Sequence, residues 1–246
     1  MGSDSRNIAE TRAEVVTNEG ARVAVRLVVN PRARRVSVRV CPTRREAIAT
    51  APSQRQLNTA AAFAAERANW IARELSRLPQ GVMLMPGARA PLRGVMHELA
   101  YERGRAGPRV EEGDPPRLIA PAPDVELFEA RLVRFLKAEA LADLRTRVAA
   151  HAATLGVQPK RIQVKDVRSR WGSCSADGAL AFSWRVVMAP PFVLDYLAAH
   201  EVAHLVEMNH SRRFWALVRR CAPDFERGRR WLHEHGCSLH AVGMAR

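Results

Sequence analysis

This chain of 246 residues has almost no lysine: only Lys137, Lys160 and Lys165 occur, and arginine supplies the rest of its 39 basic residues. Cysteine is nearly as sparse. Cys41, Cys174, Cys221 and Cys237 form no C-x-x-C pair, and their spacing is not that of a disulfide framework. They are expected to stay reduced, with Cys41, Cys221 and Cys237 acting as small hydrophobes. No apolar run approaches the roughly 18 residues of a membrane helix. The polar start, Met1 to Arg6, leads into no apolar core of a signal peptide. A soluble, cytoplasmic protein is therefore expected. No internal repeat is apparent.

What is present is enough apolar residue, 47%, to bury a sizeable core in one large domain or two small ones. The net charge of +14 favours polyanions, nucleic acid among them. A compositional bias toward arginine explains the same charge without any nucleic-acid partner.

Patterning along the chain predicts three regions. Residues 1–20 read as a flexible polar tail. Residues 21–121 read as a β-rich region with one helix. Strands are expected at Val23–Val29 and Val36–Val40, from apolar runs and alternation. Ser53-Gln54-Arg55-Gln56 is a capping-box pattern opening a helix with Leu57, Ala61, Ala64, Ala68, Ile71, Leu75 and Leu78 on one face, which Pro79-Gln80-Gly81 stops. Short strands are expected over 82–120, and the proline-rich 114–123 stretch reads as a linker. Residues 122–246 form the third region. Asp124 is expected to cap a long helix ending at Gly156, followed by strands at 161–167 and 179–188.

The chemistry is concentrated in His200-Glu201-Val202-Ala203-His204, inside an otherwise apolar helix that starts after Pro190-Pro191. Histidines four apart share one helical face and reach one ion. The adjacent Glu201 can hold and deprotonate a water there. Catalytic zinc usually takes three protein ligands and leaves a fourth position open. His210 is the best third ligand, provided that Asn209 adopts a left-handed conformation and reverses the chain, with Ser211 capping the next helix. Glu207 is the runner-up. Blander readings stand beside these. His200 and His204 fit a core pair or a closed structural zinc site, and His210 fits a simple helix end. His233, His235 and His240 read as surface or tail histidines.

Around this string lie Arg170-Trp171-Gly172-Ser173-Cys174, Phe182-Ser183-Trp184-Arg185, Tyr196 through His204, and Asn209-His210-Ser211-Arg212-Arg213-Phe214-Trp215. In that order and spacing they resemble the YgjP-like family of zinc-dependent metallopeptidases, which often carries the label of predicted metal-dependent hydrolase and is related to the WLM and SprT-type proteases. Arg34 to Val40, Trp70-Ile71, Pro86-Gly87 and Gly94 resemble the family's N-terminal region. The resemblance implies an α+β, zincin-like domain with a small sheet beside the active-site helix. It also implies zinc on His200, His204 and His210, with Glu201 as general base. Ser183 departs from the pattern: relatives commonly carry Asn there, so the amide's polar contact is lost.

The expected reaction is hydrolysis of peptide bonds in a protein or peptide substrate. Arg170 and Tyr196 are candidate oxyanion or substrate contacts, and each has a purely structural alternative, loop anchoring and packing. The strand at 179–188 is the candidate for pairing with an extended substrate. Two other functions compete. One is a SprT-like protease acting on nucleic-acid-associated proteins, and the other is a non-catalytic, zinc-stabilised interaction domain.

Overall fold

The computed structural model describes residues 10–41, 45–78, 81–167 and 170–243. The chain divides into two compact units, Met1–Pro79 and Gln80–Arg246.

In the first unit, β1 (Glu10–Val16) and β2 (Arg22–Val29) form an antiparallel hairpin. Thus 10–16 is strand, not the tail that its polarity predicts. Val15 is buried, and the rest of β1 is held by backbone pairing to β2 rather than by burial. With β3 (Ser37–Cys41) and β4 (Glu46–Ala51) the sheet runs β1-β2-β4-β3. The helix predicted from 57 to 78 is two helices, α1 (Leu57–Ala65) and α2 (Ala68–Arg77). Leu57, Ala60, Ala64, Ala68 and Ile71 bury one stripe against Val25, Leu27, Ala47 and Ala49 of the sheet. The stop signal at Pro79-Gln80 lies outside the described residues.

The second unit begins with β5 (Arg89–Leu92), β6 (Val95–Arg103), β7 (Arg109–Glu111) and β8 (Arg117–Ala122), in the order β5-β6-β8-β7. Patterning placed a boundary at 121/122, but Leu99, Leu118 and Ala120 of this sheet share one core with Phe128, Leu132 and Leu136. Those three lie on α3 (Phe128–Leu155), which ends at left-handed Gly156. The apolar contact across the proposed linker makes the sheet part of the second unit. Asp124 makes no side-chain cap; a 3-10 turn, Val125–Leu127, precedes α3.

Next come β9 (Arg161–Lys165), β10 (Gly172–Cys174) and β11 (Ala179–Ser183), ordered β10-β11-β9. The strand predicted to reach residue 188 stops at Ser183, and Trp184–Met188 is a buried 3-10 helix. Three helices complete the unit: α4 (Pro191–Ala203), α5 (Arg212–Cys221) and α6 (Phe225–His240). Leu194, Leu197, Ala198 and Val202 pack α4 on α3 and β11. Tyr196, Ala199 and Ala203 pack its other side on Phe214 and Val218 of α5 and on Phe225 of α6. A helix apolar all round is thus central, and each fully buried Leu or Val on it contributes about 1.5–3 kcal/mol.

Candidate metal centre

Pro191 at the first turn starts α4, because its fixed φ suits a helix and its missing N–H is not needed there. His200 and His204 follow one turn apart. The helix ends at Ala203, with His204 as its C-cap. The reversal therefore comes earlier than Asn209. Glu207 N–H donates to Ala203 O at 3.0 Å and Ser211 N–H to Asn209 O at 2.7 Å. Among the described residues only Arg45 and Arg93 are non-glycines with positive φ, so Asn209 is not left-handed as expected. The turn at 204–206 does the work assigned to it. Ser211 then caps α5, its Oγ accepting from Phe214 N–H at 3.2 Å.

This turn carries His210 back to the helix. Ring centroids are 4.9 Å apart for His200 and His204, 5.0 Å for His200 and His210, and 4.8 Å for His204 and His210. One ligand atom from each ring lies within 4.8 Å of the others. Nε2 of His200 and Nε2 of His210 are 3.1 Å apart. Two nitrogens each about 2.0–2.1 Å from a tetrahedral zinc would sit about 3.3–3.4 Å apart, so the donor set suits such an ion. Phe214 backs all three rings, with centroids at 4.9, 4.5 and 4.7 Å. His204 Nδ1 lies 3.1 Å from Glu207 O. A carbonyl only accepts, so Nδ1 carries the proton and Nε2 keeps its lone pair for a ligand. The Glu207 carboxylate turns elsewhere and accepts from Asn209 N–H at 3.3 Å.

The electrostatics keep the His200 and His204 rings neutral. Burial, then His204, His210 and Arg229, push the His200 pKa down to about 3. Burial also lowers that of His204, with His210 adding to it against the Glu207 carbonyl. Neutral imidazole is the form that binds a metal. Glu201 is buried, and burial pushes its carboxyl up to about 8 against the opposing charge of Arg170. Its Oε2 is buried with no hydrogen-bond partner among the described residues. The carboxyl lies against Gly172 of β10, where a Cβ would meet Glu201 Cγ and Cδ at 2.7 Å. Glycine is required there by close approach rather than by a turn.

Tyr196 lies edge-on to His200 at 5.9 Å, and burial pushes its hydroxyl up to about 12. Arg170 is exposed, and its charge reaches Glu201. Trp171 is clamped: it stacks on His240 at 3.9 Å and meets α6 at Gly236. Next to these residues is a cleft of about 350 Å³ lined by Trp171, Gly172, Tyr196, His200 and Glu201, together with Arg229, Leu232 and His233 of α6. The α6 residues are the ones sequence reasoning missed. In the sequence His233 reads as a surface or tail histidine, and Arg229 belongs to no motif. Gly228, a glycine inside a helix, was the available signal of close approach. His235 instead pairs with exposed Glu234 at 3.8 Å. The strand offered for substrate pairing also needs correction: β11 is central, with β10 and β9 filling both of its edges.

No curated protein matches the sequence. Among solved structures, the metallopeptidase zymogen of Pyrococcus abyssi abylysin is similar at 20% identity and a TM-score of 0.33, over 37% of this chain and 93% of that one. The YgjP-like metallopeptidase domain matches residues 34–235, most of the chain, and with that match the protein belongs to the YgjP-like metallopeptidases, hydrolases that depend on a metal.

Proposed function

We propose that this metallopeptidase is a zincin-like enzyme in which His200, His204 and His210 hold zinc and Glu201 is the general base. The observation that carries the reading is the convergence of three imidazole nitrogens within 4.8 Å beside a buried carboxyl whose Oε2 has no hydrogen-bond partner among the described residues. Buried polar groups left unpaired cost several kcal/mol, and a cation among them removes that cost. When bound, zinc supplies Lewis acidity and makes water nucleophilic near neutral pH. Glu201 takes a proton from the attacking water and delivers it to the leaving amine. That role needs the carboxylate. A neighbouring cation lowers a carboxyl pKa, bringing Glu201 down from about 8 into its ionised form. Arg170 and Tyr196 are assigned to the developing oxyanion or to the substrate backbone. An extended peptide pairs with the edge strand β10, which carries Gly172 against Glu201, and not with β11.

Digestion of a peptide library by the zinc-loaded protein tests the reading. Glu201→Gln is expected to keep zinc and to lose about 10²–10⁴-fold in kcat. Equal cleavage by parent and variant sinks the mechanism. His210→Ala is expected to lose most bound zinc by metal analysis; unchanged stoichiometry moves the third ligand to Glu207. Two alternatives remain measurable. Tight, steeply salt-dependent DNA binding favours a protease recruited to nucleic acid, as the +14 charge allows. A filled fourth coordination position with no cleavage favours a zinc-stabilised interaction domain. A cytoplasmic location belongs with this proposal. Among the described residues no helix is long and apolar enough to cross a membrane.

A further inference from the structure

We infer that the cleft beside His200 takes a carboxylate of the substrate, gripped by Arg229 on its α6 wall, so that cleavage favours bonds next to an acidic side chain or a chain end. The inference rests on the peptidase reading above and names what that peptidase selects.

Three observations carry it. First, α6 is brought unusually near α4. A Cβ at Gly228 would lie 2.6 Å from Tyr196 Cβ and 3.2 Å from Phe192 O, so only glycine permits this approach. The next residue is Arg229, and with Leu232 and His233 it follows the i, i+3, i+4 spacing of one helical face. That face is the wall of the cleft whose opposite side includes His200 and Glu201. Second, Arg229 is held in place without being neutralised. Its guanidinium lies 4.8 Å above the Trp215 ring, and that ring is 5.9 Å from the ring of His200. Among the described residues Arg229 has no carboxylate partner, whereas nearby Arg219 pairs with Glu226 at 3.6 Å. Third, the cleft lining contains a single acid, Glu201, which is buried and lies against Gly172. His233 adds a further donor at the wall. A planar, permanently charged fork with five N–H donors matches a carboxylate in geometry as well as in sign. Its position over the Trp215 ring restrains the guanidinium beforehand, so less side-chain freedom is lost on binding.

The test uses the full, zinc-loaded chain and peptides that differ only by Glu or Gln next to the scissile bond, each with a free or an amidated C-terminus. The carboxylate peptides are expected to show kcat/KM about fivefold to tenfold higher, mainly through KM, as fits a part-exposed charged contact. The advantage should shrink in high salt. Arg229→Gln brings the ratio toward one, Arg229→Lys keeps part of it, and Arg229→Glu turns the preference toward Lys-bearing peptides. A Glu/Gln difference assigns the carboxylate to a side chain, and a difference between free and amidated ends assigns it to the chain terminus. Equal kcat/KM across all four peptides overturns the inference while leaving the peptidase reading intact. If no peptide is cleaved, the peptidase reading fails instead. Calorimetric binding of the same peptides to Glu201→Gln then decides: an acid-over-amide ratio in Kd that Arg229→Gln abolishes sustains the carboxylate site, and equal Kd values reject it.

Discussion

His200 lies on α4, and His151 of α3 reaches the same helix at Asp195; the two hold protons in opposite ways. His151 is buried, and its Nε2 lies 3.0 Å from Asp195 Oδ1. Burial alone would lower its pKa, but Asp195 and Cys221 overcome that and push it up to about 9. His200 faces His204 and His210 instead, and burial with those rings pushes it down to about 3. Asp195 and Glu201 repeat the contrast. Asp195 has His151 and Arg147 beside it, while Glu201 Oε2 has no hydrogen-bond partner among the described residues. The first pair is complete within the chain and ties α3 to α4. The second set is not completed among the described residues, and in the proposed reading a cation completes it. What separates scaffold from site on this helix is whether the polar groups satisfy one another.

Removing the metal breaks the comparison most. If the triad is completed by zinc, an ion at about a hundred times its Kd stabilises the fold by about 2.7 kcal/mol. Chelation is then expected to lower Tm by about 5–10 °C for a chain of this size. His204→Ala should abolish the zinc response, and Asp195→Asn should keep it. Calorimetric scans of the three proteins with and without chelator are the measurement. A Tm independent of zinc in the parent would place the His cluster with the self-satisfied kind.

The His151–Asp195 pair has a pH signature of its own. A histidine whose pKa is raised on folding adds stability that is fully present below its unfolded value, about 6.5, and fades as pH rises through the folded one. For His151 that window runs from 6.5 to about 9. The Asp195 carboxyl is lowered, despite burial, by His151 and Arg147, so its share is present at neutral pH and fades in acid. The urea midpoint of the parent is expected to fall between pH 7 and 9.5 by the equivalent of about 1–2 kcal/mol, allowing for the part-exposed aspartate. Asp195→Asn should flatten that slope. An unchanged slope in the variant would assign the pH dependence to other groups.

The two clusters were not equally legible in the sequence. H-E-x-x-H is local: spacing of four on a helix places two imidazoles together whatever the rest of the chain does. His210 was legible as a ligand candidate because the helix had to end before it. The turn that carries it lies at 204–206 and not at Asn209, since a reversal can be made there without any left-handed residue. Arg229 and the His151–Asp195 pair were illegible, because α6 and α3 reach α4 through tertiary packing alone. Arg93 is similar. It accepts a positive φ of 51° in the β5–β6 turn because Asp143 and Glu139, 2.8 and 2.7 Å away on α3, hold its guanidinium. The sheet β5–β8 lies in the second unit although its prolines read as a linker, because prolines mark a turn equally well inside a unit and between units.

The smallest expected effect sharpens the meaning of an unsatisfied group. Ser183 is buried at the end of β11, and its Oγ has no hydrogen-bond partner among the described residues, as Glu201 Oε2 has none. The two differ in surroundings. Glu201 lines the cleft beside the imidazoles, whereas Ser183 lies outside that lining, at the start of the buried 184–188 turn. An orphaned hydroxyl with no ligand to meet costs stability and returns nothing. Ser183→Ala is therefore expected to leave zinc content and kcat unchanged and to shift the urea midpoint by the equivalent of about 0–1 kcal/mol in the stabilising direction. A loss of stability beyond about 1 kcal/mol would show that the hydroxyl has a bound-water partner, and the contrast with Glu201 would then narrow to charge alone.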